Sequence, residues 1–195
     1  MANDFVSAIA QCLVPGRVTG ELRELIRVLL FDTPDLPEEK QDDLKQVQRI
    51  VRESAPSHKN IATLQQIIRA CLAEEDDAIA LVYGGATKIK GYVFEAPKLP
   101  EIRGASTLLD RINTADLRTL WRAEVGRLLG SEDLAEHCIV YASGGNVLAF
   151  APAQQGADLA AAIEQTYARE TITANSVAVA DTFQLIELRY GLKPT

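Results

Sequence analysis

Three features of the sequence predict an α+β fold. The first 75 or so residues repeat apolar positions at helical spacing, as in Leu22, Leu25, Ile26, Leu29 and Leu30. Two later segments, "AIALVYGG" and "HCIVYASGGNVLAFAP", are short, apolar and punctuated by glycine pairs, which reads as strand and as strand–turn–strand. From Ile79 to Ala180 the order is then strand, helix, extra helix, strand, strand, helix, strand. That is the split βαβ, or ferredoxin-like, arrangement βαββαβ, an antiparallel sheet with helices on one face, here with an extra helix before the second strand. The expected division is 1–75 helical, 76–182 sheet domain, and 183–195 a C-terminal helix or connector.

Four helices are expected first. Phe5, Ile9, Cys12 and Leu13 share one face until Pro15-Gly16 stops the segment, and the Leu22–Leu30 stripe follows. After "DTPDLPEE" a third helix presents Leu44, Val47, Ile50 and Val51, with Asp35 as its cap and Glu38 and Glu39 at its positive end. Asn60 is the expected cap of a fourth, with Leu64, Ile67, Ile68, Cys71 and Leu72 inward. The acidic run "AEEDD" reads as a solvated loop.

After the first strand, Pro97 and Pro100 keep the chain extended or kinked, and Pro100 opens a helix lined by Ile102, Ala105, Leu109 and Ile112. Gly104 inside that helix lowers its propensity by about 1 kcal/mol against Ala, so a close backbone approach is expected there. Thr114 is the expected cap of the next helix, which turns Leu117, Leu120, Trp121 and Leu128 inward and ends near Gly130. After the glycine hairpin come a helix with Leu159, Ile163 and Tyr167 on one face, the strand "SVAVA", and a tail read as helical through Leu185 and Leu188.

Composition narrows the function. A net charge of −7 argues against a whole surface built to wrap nucleic acid, though not against a local basic patch. No apolar run reaches the roughly 18 residues of a membrane span. The acidic start lacks a secretory pattern, so a cytoplasmic protein without membrane contact is expected. Cys12, Cys71 and Cys138 are too scattered for a disulfide framework or a metal knuckle and read as buried thiols.

The chemistry-bearing places are the two glycine pairs. Two-metal phosphoryl transfer needs carboxylates converging on cations about 3.5–4 Å apart. In the palms of polymerases and nucleotide cyclases they stand at the end of the first strand and at the central hairpin. Here those places hold Gly84-Gly85 and Ser143, Gly144, Gly145 and Asn146, so neither a catalytic residue nor a metal ligand is assigned. Asp76 and Asp77 precede the strand, at its other end. His58 and His137 form no His-Asp dyad. "YGGATKIKGY" matches no phosphate-loop pattern, yet its glycines with Lys88 or Lys90 are a candidate anion nest. Lys98 and Arg103 meet either a phosphate or a neighbouring Glu.

"GYVFEAPKLPEIRGASTLLDRIN" followed by "IVYASGGNVLAF" resembles the first palm domain of Cas10. Cas10, also called Cmr2 or Csm1, is the large subunit of type III CRISPR effector complexes, and the likeness is nearest its Csx11 branch. The matching residues are Tyr92, Val93, Phe94, Lys98, Leu99, Ile102, Arg103, Gly104, Ala105, Ser106, Gly144, Gly145 and Asn146. The family converts ATP to cyclic oligoadenylates with a Gly-Gly-Asp-Asp hairpin in a second palm, and many members carry a His-Asp nuclease domain. This sequence has neither feature.

The resemblance therefore implies a catalytically inactive palm in antiviral defence. It has no cofactor of its own, and ATP is shared with a second palm. Gly84, Gly85, Lys88, Ser143, Gly144, Gly145 and Asn146 would lie by the nucleotide. Lys98 and Arg103 would contact nucleic acid or another subunit. The implied partners are the second Cas10 palm and other effector subunits, with guide RNA reached indirectly. Two readings stay open beside it: a divergent cyclase or polymerase palm using Asp76, Asp77 or Asp110, and a stand-alone ferredoxin-like ligand-binding domain.

Overall fold

The computed structural model describes residues 2–31, 33–37, 41–53, 56–72, 78–95 and 98–191. The chain divides into two compact units, Met1–Ile79 with Phe183–Thr195, and Ala80–Thr182.

The first unit is helical: α1 (Ala2–Leu13), α2 (Gly20–Leu30), α3 (Asp42–Val51), α4 (His58–Cys71) and α10 (Leu185–Tyr190). The apolar stripes bury as their spacing predicts: Leu22, Leu25, Ile26 and Leu29 from α2, Leu44, Val47, Ile50 and Val51 from α3, Leu64 and Ile68 from α4. Two caps differ from expectation. Asp35 does not cap α3; it pairs with Arg52 at 2.6 Å, while Gln41 stands at the N-cap and Asp42 and Asp43 supply the acidic first turn. Glu38 and Glu39 lie outside the described residues. Ser57, not Asn60, caps α4 by accepting the Asn60 N–H, and the Asn60 side chain donates to Glu53. A serine three residues upstream reaches the first free amides, which a residue already inside the helix cannot do. The tail helix α10 packs on α2 and α4, and Arg189 donates to the Val51 carbonyl.

The second unit carries β1 (Ala78–Ala86), α5 (Ile89–Val93), α6 (Leu99–Arg111), α7 (Leu117–Leu129) and α8 (Glu132–His137). They are followed by β2 (Ile139–Ser143), β3 (Asn146–Pro152), α9 (Gly156–Thr171) and β4 (Ser176–Gln184). The protein is thus α+β, with an open four-stranded antiparallel sheet in the order β2-β3-β1-β4.

The expected break between two helices at Thr114 is absent. α6 runs through a π-helical turn, Ile112–Asp116, directly into α7. Thr114 bonds back to the Asp110 carbonyl instead of capping, the local habit of a threonine inside a helix. α5 and α8 are short helices in segments to which the sequence pattern assigns no element. Ser131 caps α8, and Glu136 of α8 binds both Arg118 and Arg122 of α7.

One face of the sheet packs on helices. Gly84 of β1 leaves room for Ile163 of α9 and for Ala178 of β4, and Gly156 of α9 sits over Ala80 and Ala180. The other face carries Leu81, Tyr83, Tyr141, Leu148, Val177 and Val179, with Val177 and Val179 more than half exposed. Both sheet edges are blunted. β2 has five residues and a register shift between Ile139 and Tyr141. On β4, Glu164 accepts the Ala178 N–H at 2.8 Å and Asp181 accepts the Thr182 N–H. Association through an edge is disfavoured by these devices; association through the open face is not.

The guess that Gly104 admits a neighbouring backbone is wrong within the chain. The residue is exposed, and a β-carbon there would meet nothing within 4 Å. Gly104→Ala is therefore expected to raise stability by about 0.5–1 kcal/mol, read as a higher urea midpoint at unchanged slope.

Candidate functional site

The hairpin joining β2 and β3 turns through Gly144 and Gly145 alone, with Ser143 paired to Asn146. Both glycines have positive φ (63° and 90°), which a tight two-residue hairpin demands. The turn is pressed onto the end of β1. A methyl group on Gly85 would lie 2.6 Å from Asn146 Oδ1 and 2.8 Å from Asn146 Cα, and closer still to the Gly145 carbonyl oxygen. That carbonyl accepts the Ala86 N–H at 2.9 Å. The Tyr83 hydroxyl donates to Asn146 Oδ1 at 3.3 Å on the open face.

Beneath the turn lies a buried polar chain. Tyr167 of α9 places its hydroxyl 2.9 Å from Asn113 Oδ1 and 3.2 Å from the Gly145 carbonyl. Asn113 sits in the π turn, and its Nδ2 donates to the Leu109 carbonyl at 2.7 Å. That bond fixes which end of the amide faces the tyrosine. Asn113 and Tyr167 are both fully buried. Burial pushes the Tyr167 phenol above its ordinary ionisation range, against the smaller, opposing effects of its hydrogen bonds with Asn113 and Ala86. Around the network, Arg111 joins Asp116 at the end of the π turn to Glu170 of α9. Arg169, with Arg111 behind it, holds the Glu170 carboxyl below its usual range.

Gly84, Gly85, Ser143, Gly144, Gly145 and Asn146 are thus brought to one end of the sheet, and their exposure sorts them. Gly84, Gly85 and Gly145 are buried packing positions, Asn146 is half-buried, and Ser143 and Gly144 face solvent. Lys88 is exposed beside them in a left-handed conformation, φ 53°, just before Ile89, whose side chain packs against Gly145. The amides of Ala86 and Thr87 donate to the Gly145 and Asn175 carbonyls, so they take no part in an anion nest. Ser143, Gly144 and Lys88 are the members of the group that face solvent.

Lys98 and Arg103 meet no neighbouring Glu: neither makes an ion pair with another described residue, and both are exposed on the α5–α6 segment. Asp110 is exposed on α6, and Asp76 and Asp77 lie outside the described residues. Among the described residues no three His, Cys, Asp or Glu side chains gather as a metal site, and no helix is long and apolar enough to cross a membrane. Cys12 and Cys138 are buried. Cys71 is half-buried, its thiol pushed up by burial and then by Glu21.

Sequence reasoning missed Asn113 and the partnership of Tyr167 with the hairpin. The available signal was a polar Asn between two buried apolar residues, Ile112 and Leu117, in a run expected to hold a helix end. No protein-family model, no curated protein and no solved structure matches the chain. The likeness to Cas10 rests on the two motifs quoted above.

Proposed function

We propose that this chain is a catalytically inactive palm module of a Cas10-like large subunit of a type III CRISPR effector complex. It supports nucleotide binding and assembly in concert with a second palm. The observation that carries this reading is the sheet order β2-β3-β1-β4, the ferredoxin-like order, with a two-glycine hairpin lying on the glycine end of β1. In this reading Gly84, Gly85 and Gly145 let the strands and hairpin close, while Ser143, Gly144 and Lys88 border an ATP shared with the second palm. The carboxylates that hold metal come from that partner.

The second palm covers the open sheet face. Leu81, Tyr83, Tyr141, Leu148, Val177 and Val179 make that face apolar, and no Lys or Arg stands on any of the four strands. Such a surface suits a protein partner better than a phosphate backbone. Lys98 and Arg103, away from it, meet nucleic acid or another effector subunit, and guide RNA is reached through those subunits. The setting is the cytoplasm.

The test mixes this chain with a separately purified palm bearing the Gly-Gly-Asp-Asp hairpin, Mg²⁺ and labelled ATP. The expected results are a stoichiometric complex by sedimentation, tighter ATP binding by the pair than by either part, and loss of the complex on Val179→Asp. Cyclic product from this chain alone, or no association of the two palms, overturns the proposal.

A further inference from the structure

The cations of the second unit are segregated. Its nine Lys and Arg residues run in chain order from Lys88 to Arg169. The last five, Arg111, Arg118, Arg122, Arg127 and Arg169, all hold carboxylates. The first four, Lys88, Lys90, Lys98 and Arg103, are all exposed, and none is ion-paired to another described residue. They fall within one stretch around α5 and α6, two helices that pack on each other. Glu95 and Glu101 stand in the same stretch, so its four cations against two carboxylates leave a net +2 within a chain of net charge −7, a local excess to which negative charge is drawn from outside.

The same stretch exposes apolar surface that its own fold does not use. Phe94, at the end of α5, is 65% exposed, and Leu99, at the start of α6, is 58% exposed. Tyr92 is half-buried between the lysines. Gly104 weakens α6 without filling any contact inside the protein, leaving a bare strip of helix backbone beside Arg103. Cations interleaved with an exposed aromatic ring fit a single strand of nucleic acid, whose phosphates take the charge and whose bases stack on the ring. An acidic peptide accounts for the lysines but gives Phe94 nothing to stack against.

We infer that the α5–α6 surface, with Lys90, Lys98, Arg103 and Phe94 as its principal contacts, binds single-stranded nucleic acid. The inference rests on the reading above only where that reading gives Lys98 and Arg103 an external contact; the shared ATP pocket has no part in it.

Fluorescence anisotropy with labelled oligo(U) and oligo(dT) tests it on the intact chain. The expected result is binding that weakens with salt, log K against log salt having a slope of about −2 to −3 for three or four neutralised phosphates. The triple variant Lys90→Glu/Lys98→Glu/Arg103→Glu abolishes it. A variant of equal charge, Lys59→Glu/Arg69→Glu/Arg127→Glu, keeps it within about threefold at physiological salt, where distant charges are screened. Phe94→Ala weakens it about tenfold or more while leaving the salt slope unchanged. Unaltered circular dichroism and melting keep the variants interpretable. Absence of binding, equal loss in both triple variants, or no effect of Phe94→Ala overturns the inference. So does capture by anionic phosphatidylserine vesicles without oligonucleotide binding. Failure here leaves the palm-pairing experiment untouched, because that one is read on ATP and a second palm.

Discussion

Gly85→Ala is expected to cost at least about 3 kcal/mol of stability and to lift the hairpin from β1. The added methyl group meets the Gly145 carbonyl oxygen and Asn146 Cα, both backbone, with Asn146 Oδ1 at 2.6 Å on the same side. Backbone cannot swing aside as a flexible side chain can. Either β1 moves and strips the Ala86 N–H from its acceptor, or the turn moves and takes Tyr83 and Tyr167 out of bonding range. Gly144→Ala is the internal control. It also has positive φ, 63°, but a β-carbon there meets open space, so only the local backbone penalty of about 1–2 kcal/mol applies. Urea denaturation of the two variants separates close packing from turn geometry. A Gly85→Ala variant no less stable than Gly144→Ala would show that the hairpin does not rest on β1 as described.

The order of elements was legible because it rests on apolar periodicity and glycine punctuation, which burial enforces directly. The Leu22–Leu29 stripe, the strand ending at Gly84-Gly85 and the Gly144-Gly145 turn are where the pattern puts them. What was not legible depends on partners distant in the chain. Asp35 satisfies a capping pattern, yet Arg52 takes it, because a salt-bridging cation 17 residues on is invisible to a local rule. Thr114 resembles a cap, but the helix continues through a π turn because Asn113 must reach Tyr167, 54 residues later. The glycine loci stood out by type and spacing, and the fold brings them to one end of the sheet. That Gly84 and Gly85 are filled by protein atoms, while Ser143 and Lys88 stay open, follows only from the packing. The same holds for the α5–α6 surface: a sequence displays four cations interleaved with Glu95 and Glu101, but only the fold reveals that none of the four is ion-paired to another described residue.

The buried link between Asn113 and Tyr167 carries the other large effect. Asn113→Leu keeps the branched heavy-atom outline, though it is bulkier, and removes an acceptor of the Tyr167 hydroxyl and the side-chain donor to the Leu109 carbonyl. The Tyr167 hydroxyl keeps the Gly145 carbonyl and the Leu109 carbonyl keeps the Ile112 N–H, so the loss is that of two hydrogen bonds at about 0.5–1.5 kcal/mol each, about 1–3 kcal/mol in all. Tyr167→Phe orphans Asn113 Oδ1 and costs about 1–3 kcal/mol. If the two side chains act through one bond, the double variant costs less than the sum of the singles, with a coupling of about 0.5–3 kcal/mol. Strict additivity would remove the shared bond from the account. The alkaline limb supplies a second check with a defined sign. Because burial raises the folded Tyr167 phenol above the unfolded value of about 10, the unfolded chain releases its proton first as pH climbs. Stability from this group is complete below about pH 10 and falls above it. Tyr167→Phe flattens that fall, leaving a residual slope from Tyr190, whose phenol burial also raises. The hairpin sits directly on this hydroxyl. Its seat on the end of β1 is therefore held from below by a proton on α9 and an amide in the π turn, as well as by the glycines of the turn.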